Sequence, residues 1–268
     1  LEKPAAIEQV DAILAAADGI MVARGDLGVE LPPQRVPVLQ QKIVRLARQA
    51  GKPVVVATQM LESMVHAPVP TRAEASDVAT AVYSGADAVM LSAESAAGDF
   101  PVEAVATMDA VARSVETDPT YREVIEASRR ADRHSIAEGI VVAAREIAEK
   151  TEIKAICCFT QSGTTALLTA RERPKVPIIA LTSVRRTARR LCLSWGCHCV
   201  MTEELGRFKQ AVVNAVRAAR SEGFAVESDQ IVVTAGVPFN VPGSTNILRI
   251  APCDERLIWP GGTSDAQP

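Results

Sequence analysis

Aromatic residues are scarce in this chain: five Phe, two Tyr and two Trp make up 3% of its 268 residues, so the core must be built from aliphatic side chains. An excess of one charge is also missing, since 29 Lys+Arg stand against 32 Asp+Glu for a formal net charge of −3. Such a balanced, interspersed set offers no electrostatic footprint for nucleic acid. No apolar run approaches the roughly 18 residues that a membrane-spanning helix requires. The opening residues Leu1-Glu2-Lys3-Pro4 include neither an initiator Met nor an apolar leader. These absences lead to the expectation of a cytoplasmic protein with no membrane and no nucleic-acid partner, and of a piece of something longer.

Paired metal-site spacing is absent too. The six cysteines are Cys157, Cys158, Cys192, Cys197, Cys199 and Cys253, and neither the vicinal pair nor Cys197-His198-Cys199 has the two-pair pattern of a zinc site. Reduced thiols used as small apolar side chains are the plainer reading.

What is present is 48% hydrophobic residues, enough for one large domain or two of modest size. In the first hundred residues a unit repeats. Gly19–Ala23 is an apolar run ending in Arg24-Gly25-Asp26, Pro53–Ala57 ends in Thr58-Gln59, and Ala88–Leu91 ends in Ser92-Ala93-Glu94. The polar ends are spaced 58 − 26 = 32 and 92 − 58 = 34 residues apart. Continuous apolar runs of this length read as parallel strands buried on both faces. Helical patterns lie between and after them at Val38–Ala50, which stops at Gly51 with Pro53 beyond, at Thr71–Tyr83 and at Pro101–Glu116. Strand, polar loop and helix at this period form the βα unit of a barrel or a doubly wound sheet.

In such units functional groups gather at the carboxyl ends of the strands, where Asp26, Thr58, Ser92 and Glu94 fall. Each has a plain alternative, as a loop turn residue or a helix cap. Three successive strands with polar residues at one end favour a shared site.

After a charged connector helix at Tyr121–Arg133 the pattern restarts with the amphipathic stretch Ile136–Lys150. Strands are expected at Ala155–Phe159, Ile178–Leu181, His198–Met201, Gln230–Ala235 and Ile247–Ile250, and helices at Thr164–Arg173, Arg185–Leu193 and Phe208–Glu222. Only Gly236–Asn246 separates the last two strands, too short for a helical crossover, so an antiparallel return is expected. Within this second domain, Thr160-Gln161-Ser162-Gly163-Thr164-Thr165 follows a strand and opens a helix. Its hydroxyls and amides can cradle a phosphate or can simply cap the helix. The expected divisions are 1–114, 115–256 and a disordered tail at 257–268 rich in Gly, Pro and polar residues.

Four segments carry a resemblance. Met21–Glu30 (MVARGDLGVE), Gly51–Met64 (GKPVVVATQMLESM), Pro70-Thr71-Arg72-Ala73-Glu74 with Ser76-Asp77-Val78-Ala79, and Val89–Ala96 (VMLSAESA) closely resemble signatures of the pyruvate kinases. Ala93 and Ser95 replace the Gly and Thr more usual in that family. The second domain resembles the family's C-terminal domain more weakly.

The resemblance implies the last three of eight βα units of a catalytic β/α barrel, followed by an α/β domain with a mostly parallel five-stranded sheet. It implies transfer of the phosphoryl group of phosphoenolpyruvate to ADP, giving pyruvate and ATP in glycolysis. By position in the motifs, Glu2 and Asp26 are implied as Mg2+ ligands. Arg24, Gly25, Asp26, Thr58, Ser92 and Glu94 are implied as substrate-binding, with Thr58 the catalytic hydroxyl on the proton route to the enolate. Thr160, Ser162, Gly163, Thr164 and Thr165 are implied as an effector phosphate site for a sugar phosphate or nucleotide. Gln161 and Thr164 stand where basic residues are common, which argues against a bisphosphate. Arg185, Arg186, Arg189 and Arg190 can supply charge from a neighbouring helix or form a solvated face. A homotetramer, and K+ held by residues outside this chain, are also implied. Five barrel strands, a lid domain and the Lys of the Lys-Ile-Glu pattern are absent, so the chain alone is expected to be inactive. A non-catalytic effector-binding or assembly module is the alternative. An enolate-forming aldolase shares the chemistry but not the signatures.

Overall fold

The computed structural model of the chain describes residues 1–129, 135–204, 206–239, 241 and 243–258, with the side chain of Glu255 left aside. It divides into two compact units, Leu1–Arg130 and Ala131–Pro268.

The first unit opens with two short helices, α1 (Pro4–Glu8) and α2 (Val10–Ala16), which the periodicity did not disclose. Then follow β1 (Ile20–Ala23), α3 (Arg24–Glu30), α4 (Val36–Gln49), β2 (Val54–Ala57), α5 (Arg72–Tyr83), β3 (Ala88–Val89), α6 (Ala93–Ala96), α7 (Pro101–Glu116) and α8 (Pro119–Ala127). The three strands pair in parallel in the order β1-β2-β3, as expected of βα units. On the outer side of β1, Leu1 continues the ladder. Its amino group donates to the Met21 carbonyl at 2.5 Å and its carbonyl accepts from the Ala23 amide at 3.1 Å, the parallel pattern opposite Val22.

Helix α4 buries Leu39, Ile43, Val44 and Ala47, a stripe at i, i+4 and i+8 packed on Val22, Val54 and Val56. It closes at Gly51 with the Lys52 amide on the Ala47 carbonyl at 3.0 Å, the bond of a Schellman cap. Helix α5 starts with a capping box. Thr71 Oγ1 accepts from the Glu74 amide, and Glu74 Oε2 accepts from the Thr71 amide and hydroxyl. Glu74 also accepts from the Ser63 amide and hydroxyl, pinning the loop after β2 to this helix. Burial by itself pushes the Glu74 carboxyl up, but the bonds from Ser63 and Thr71 outweigh it and hold the pKa at about 2.

The boundary expected at 114/115 falls short of the end of this unit. Tyr121 and Ile125 of α8 are buried in one cluster with Val82 of α5 and Val115 of α7, so α8 packs as part of the first unit. The far end of the expected connector, residues 130–133, lies outside the described residues.

The second unit is α9 (Ile136–Lys150), β4 (Ile153–Phe159), α10 (Thr164–Arg171), β5 (Ile178–Thr182), α11 (Arg185–Leu191), β6 (Cys197–Met201), α12 (Phe208–Ser221), β7 (Gln230–Gly236), β8 (Thr245–Pro252) and α13 (Glu255–Ile258). Its five-stranded sheet has the order β6-β5-β4-β7-β8, parallel throughout except for the β7–β8 pair, the antiparallel return that the short connection required. Strand pleating sends Ala155, Cys157 and Phe159 into the layer under α12, and Ile156 and Cys158 into the layer under α9 and α10. The vicinal cysteines thus serve two different cores. Burial pushes the Cys157 thiol well up from its ordinary value, as expected of a small apolar side chain.

Residues 257 and 258, assigned to the expected disordered tail, instead end α13, because Ile258 is buried in the α12 layer. The rest of that tail, from 259 onward, lies outside the described residues. Among the described residues no helix is long and apolar enough to cross a membrane.

Candidate active site

Ala23 pairs with Ala57, so Arg24 and Thr58 leave adjacent strands at the same level. The segment after β1 is not the turn its two glycines suggest: Arg24–Glu30 enters helix α3 at once, with Gly25 and Asp26 in the first turn. The segment after β2 is strained. Thr58 and Gln59 hold φ of 69° and 54°, two consecutive side-chain-bearing residues in the left-handed region. For a β-branched residue this is an outlier, costing about 1–2 kcal/mol, and such strain persists only where the surroundings impose it.

Arg24 is among those surroundings. Its Nε donates to the Ala57 carbonyl at 3.2 Å, and its Nη2 donates to the carbonyls of Thr58 at 2.6 Å and Gln59 at 3.3 Å. Its Nη1 meets both carboxylate oxygens of Asp77 at 2.6 Å and Gln40 Oε1 at 3.3 Å. The guanidinium expected to face a substrate is therefore directed at the protein's own backbone. The sequence reading missed Asp77 and Gln40, although Asp77 lies inside a quoted signature. Thr58 Oγ1 accepts from the Gly25 amide at 2.8 Å and donates to the Ala57 carbonyl at 2.6 Å, so the hydroxyl is oriented. A Cβ on Gly25 would meet Thr58 Oγ1 at 3.5 Å, ordinary contact, so this chain's own packing does not require glycine there.

The third strand end behaves differently. Ser92 is exposed, whereas Glu94 is 3% exposed, with Oε1 accepting from the Leu61 amide at 3.2 Å and Oε2 from the Ser92 amide at 2.7 Å. Glu94 staples the loops after β2 and β3 together rather than presenting a free carboxylate.

Glu2 and Asp26 are exposed carboxylates, Glu2 next to the Leu1 that pairs with β1 and Asp26 in the first turn of α3. The Lys3 ammonium is held above its ordinary value by the hydrogen bond and charge of Glu30, at 2.5 Å, with smaller contributions from Glu2 and Asp26. Among the described residues no group of three or more His, Cys, Asp or Glu is placed to hold a metal. Two carboxylates with no nitrogen or sulfur fit a hard ion such as Mg2+, which completes its shell with water and substrate oxygens.

In the second unit, the loop after β4 opens onto a cleft lined by Thr160, Ser162, Thr164, Thr165 and Thr245 among others. Gly163 adopts φ +92° as the N-cap of α10, and its amide donates to Thr160 Oγ1 at 2.9 Å. Thr165 and Thr245 share a hydrogen bond at 2.6 Å, tying this loop to the start of β8. Arg190 donates to the Ser162 carbonyl and Thr187 to the Gln161 carbonyl, so α11 braces the loop, while Arg185, Arg186 and Arg189 are exposed. The charged residues among the described lining are Glu203 and Glu204.

Parallel βα units with polar groups at their strand ends, followed by a wound sheet with a cleft at its own loop edge, define a two-unit α/β protein. Residues 1–105 match the family model for the pyruvate kinase barrel domain, and residues 138–251 match that for the pyruvate kinase alpha/beta domain. The chain belongs to the pyruvate kinase family. A pyruvate kinase from Methylorubrum extorquens is 53% identical over 251 residues, covering 94% of this chain and 52% of that protein. One from Clostridium acetobutylicum is 42% identical over 250 residues, covering 93% and 53%. The crystal structure of a pyruvate kinase from Cryptosporidium parvum superposes with a TM-score of 0.86 at 37% identity, covering 94% of this chain and 50% of that one. The chain thus spans about half the length of the curated relatives it matches. Its parallel βα units are barrel-domain units, and its mostly parallel sheet is the family's α/β domain, as the sequence implied.

Proposed function

We propose that this chain supplies one half of a pyruvate kinase, and that the complete enzyme transfers the phosphoryl group of phosphoenolpyruvate to ADP. The observation that carries the reading is the left-handed Thr58-Gln59 pair, which holds an oriented hydroxyl beside the Gly25 amide at the strand ends. In this reading the Gly25 amide is held by the Thr58 hydroxyl, the Asp26 amide in the first turn of α3 approaches the substrate carboxylate, and the absence of a Cβ on Gly25 leaves room for the substrate. Ser92 borders the same edge. Glu2 and Asp26 would hold Mg2+, which supplies charge neutralisation for the phosphoryl group when bound. The Thr58 hydroxyl lies on the route of the proton to the enolate carbon once transfer is complete. Arg24 and Glu94 support these groups from behind. K+ and the tetrameric assembly belong to the complete enzyme.

Phosphoryl transfer depends on positioning and on cationic charge. In this chain the cations nearest the strand ends are committed, Arg24 to Asp77 and Lys3 to Glu30. The chain alone is therefore expected to show no turnover in a coupled pyruvate assay. A chimera that joins it to the part of the Methylorubrum relative it lacks is expected to show Mg2+-dependent turnover. Turnover by the chain alone would overturn the half-site reading, and a folded but inactive chimera would overturn the function.

A second reading rests on the cleft of the second unit: an effector site for a phosphorylated ligand, with the hydroxyls and amides at the start of α10 as the cradle. With Glu203 and Glu204 as the charged lining among the described residues, a sugar monophosphate suits it better than a bisphosphate. Calorimetry on the chain is expected to detect a sugar monophosphate, with the heat lost in Ser162→Ala and weaker or absent for the bisphosphate. Equal binding of the bisphosphate would contradict the charge argument. Binding heat together with an inactive chimera would favour the non-catalytic module.

A further inference from the structure

We infer that Arg24 and Asp77 act together as positioning residues that fix the Thr58 hydroxyl, a role that rests on the proposed place of Thr58 in the site. In an extended strand successive carbonyls point to opposite sides. The left-handed pair after β2 instead turns the carbonyls of Ala57, Thr58 and Gln59 towards one point, where the Arg24 guanidinium receives all three. A backbone this strained would relax if those carbonyls were released. Its relaxation would carry Thr58 Oγ1 away from the Gly25 amide that it meets at 2.8 Å.

Arg24 can serve three carbonyls only if its plane is fixed, and Asp77 fixes it. Both Asp77 oxygens lie 2.6 Å from Nη1, which leaves Nη2 for the Thr58 and Gln59 carbonyls and Nε for that of Ala57. Gln40, itself buried, adds a contact to the same Nη1. The planar fork is necessary, because a lysine ammonium cannot address three separated carbonyls and a carboxylate together. The arrangement also links elements: Asp77 belongs to α5, Gln40 to α4 and Arg24 to α3, so two barrel helices set the geometry of a hydroxyl on the loop after β2. Neither Arg24 nor Asp77 needs to touch the reacting atoms for this.

The test uses Asp77→Ala, and Asp77→Asn as the milder change of the same shape, in the active chimera and in the chain itself. A positioning role predicts that kcat falls by about 10²-fold, because a misplacement of order 1 Å suffices for that loss. The KM for phosphoenolpyruvate is expected to stay within about threefold, since ground-state binding is not what is removed. In the chain, the Gly25 amide is expected to lose its protection from hydrogen exchange while the amides of β1 and β2 keep theirs. Unchanged kcat in a folded variant, a raised KM at constant kcat, or a Gly25 amide that stays protected would each overturn the inference. Thr58→Val separates the two claims. If it leaves kcat unchanged, the reading of Thr58 fails and the positioning role fails with it. If it lowers kcat while Asp77→Asn and Asp77→Ala do not, the positioning role fails alone.

Discussion

Thr58→Val in the active chimera is expected to lower kcat by about 10²- to 10³-fold, within the range lost when a positioned proton-transfer group is removed. Valine matches threonine in shape and branching, so the left-handed backbone bears the same strain in both, and Arg24 still receives the carbonyls. What disappears is the hydroxyl that accepts from the Gly25 amide and donates to the Ala57 carbonyl. Orphaning one partly buried amide costs about 1–3 kcal/mol, a modest loss of stability beside the kinetic effect. Thr58→Ser keeps the hydroxyl and is expected to keep most of the activity. The proton step can be read separately, by following exchange of the pyruvate methyl protons into deuterated water. In Thr58→Val that exchange should fall at least as much as net turnover. A variant that turns over within threefold of the parent (against a hydroxyl contribution of about 10²-fold or more) would remove Thr58 from the mechanism.

The parts of this fold that sequence disclosed are those where local chemistry and tertiary packing agree. Val54-Val55-Val56 can only be a buried strand, and Thr71 with Glu74 three residues on is a helix start whether or not anything packs on it. The second unit was legible because β5 and β7 are largely aliphatic runs bounded by Pro177 and Gly236. Helix α3 was not, since Gly25 and Gly28 each lower helix propensity by about 1 kcal/mol and tertiary contacts override them. Helices α1 and α2 escaped because a break at Gln9 leaves two pieces of 5 and 7 residues, too short for a periodic signal, although Pro4 at the first helical position marked the start.

The site was legible in its residue types and misleading in their directions. Nothing near Arg24 reveals that its partner is Asp77, 53 residues further on, and a conformation that threonine disfavours leaves no mark in the sequence around Thr58. Glu94 finds its amide partner 33 residues back. A motif states that such residues belong together. The structure separates those that face outward, Glu2, Asp26 and Ser92, from those that hold the frame, Arg24 and Glu94.

That separation has a thermodynamic consequence at Glu94. Its two oxygens satisfy two backbone amides in a nearly closed site, and hydrogen bonds to a charged acceptor are worth about 1.5–3 kcal/mol each. Glutamine can present one acceptor oxygen, and its amide nitrogen must then face either the Leu61 or the Ser92 N–H, donor against donor. Glu94→Gln is therefore expected to destabilise the first unit by about 2–3 kcal/mol, lowering its unfolding midpoint by on the order of 10 °C. Glu94→Ala leaves both amides unpaired beside a void and should cost about 3–5 kcal/mol. Glu2→Gln and Asp26→Asn change exposed carboxylates and should move stability by less than about 0.5 kcal/mol, while removing Mg2+-dependent turnover in the chimera. Thermal unfolding followed by circular dichroism distinguishes the two classes without any assay of activity. If Glu94→Gln instead melts with the parent and loses turnover, the carboxylate must meet the substrate, and its two amide bonds must be dispensable to the fold. With Oε2 at 2.7 Å from the Ser92 amide and the side chain closed off from solvent, the staple is the stronger of the two accounts.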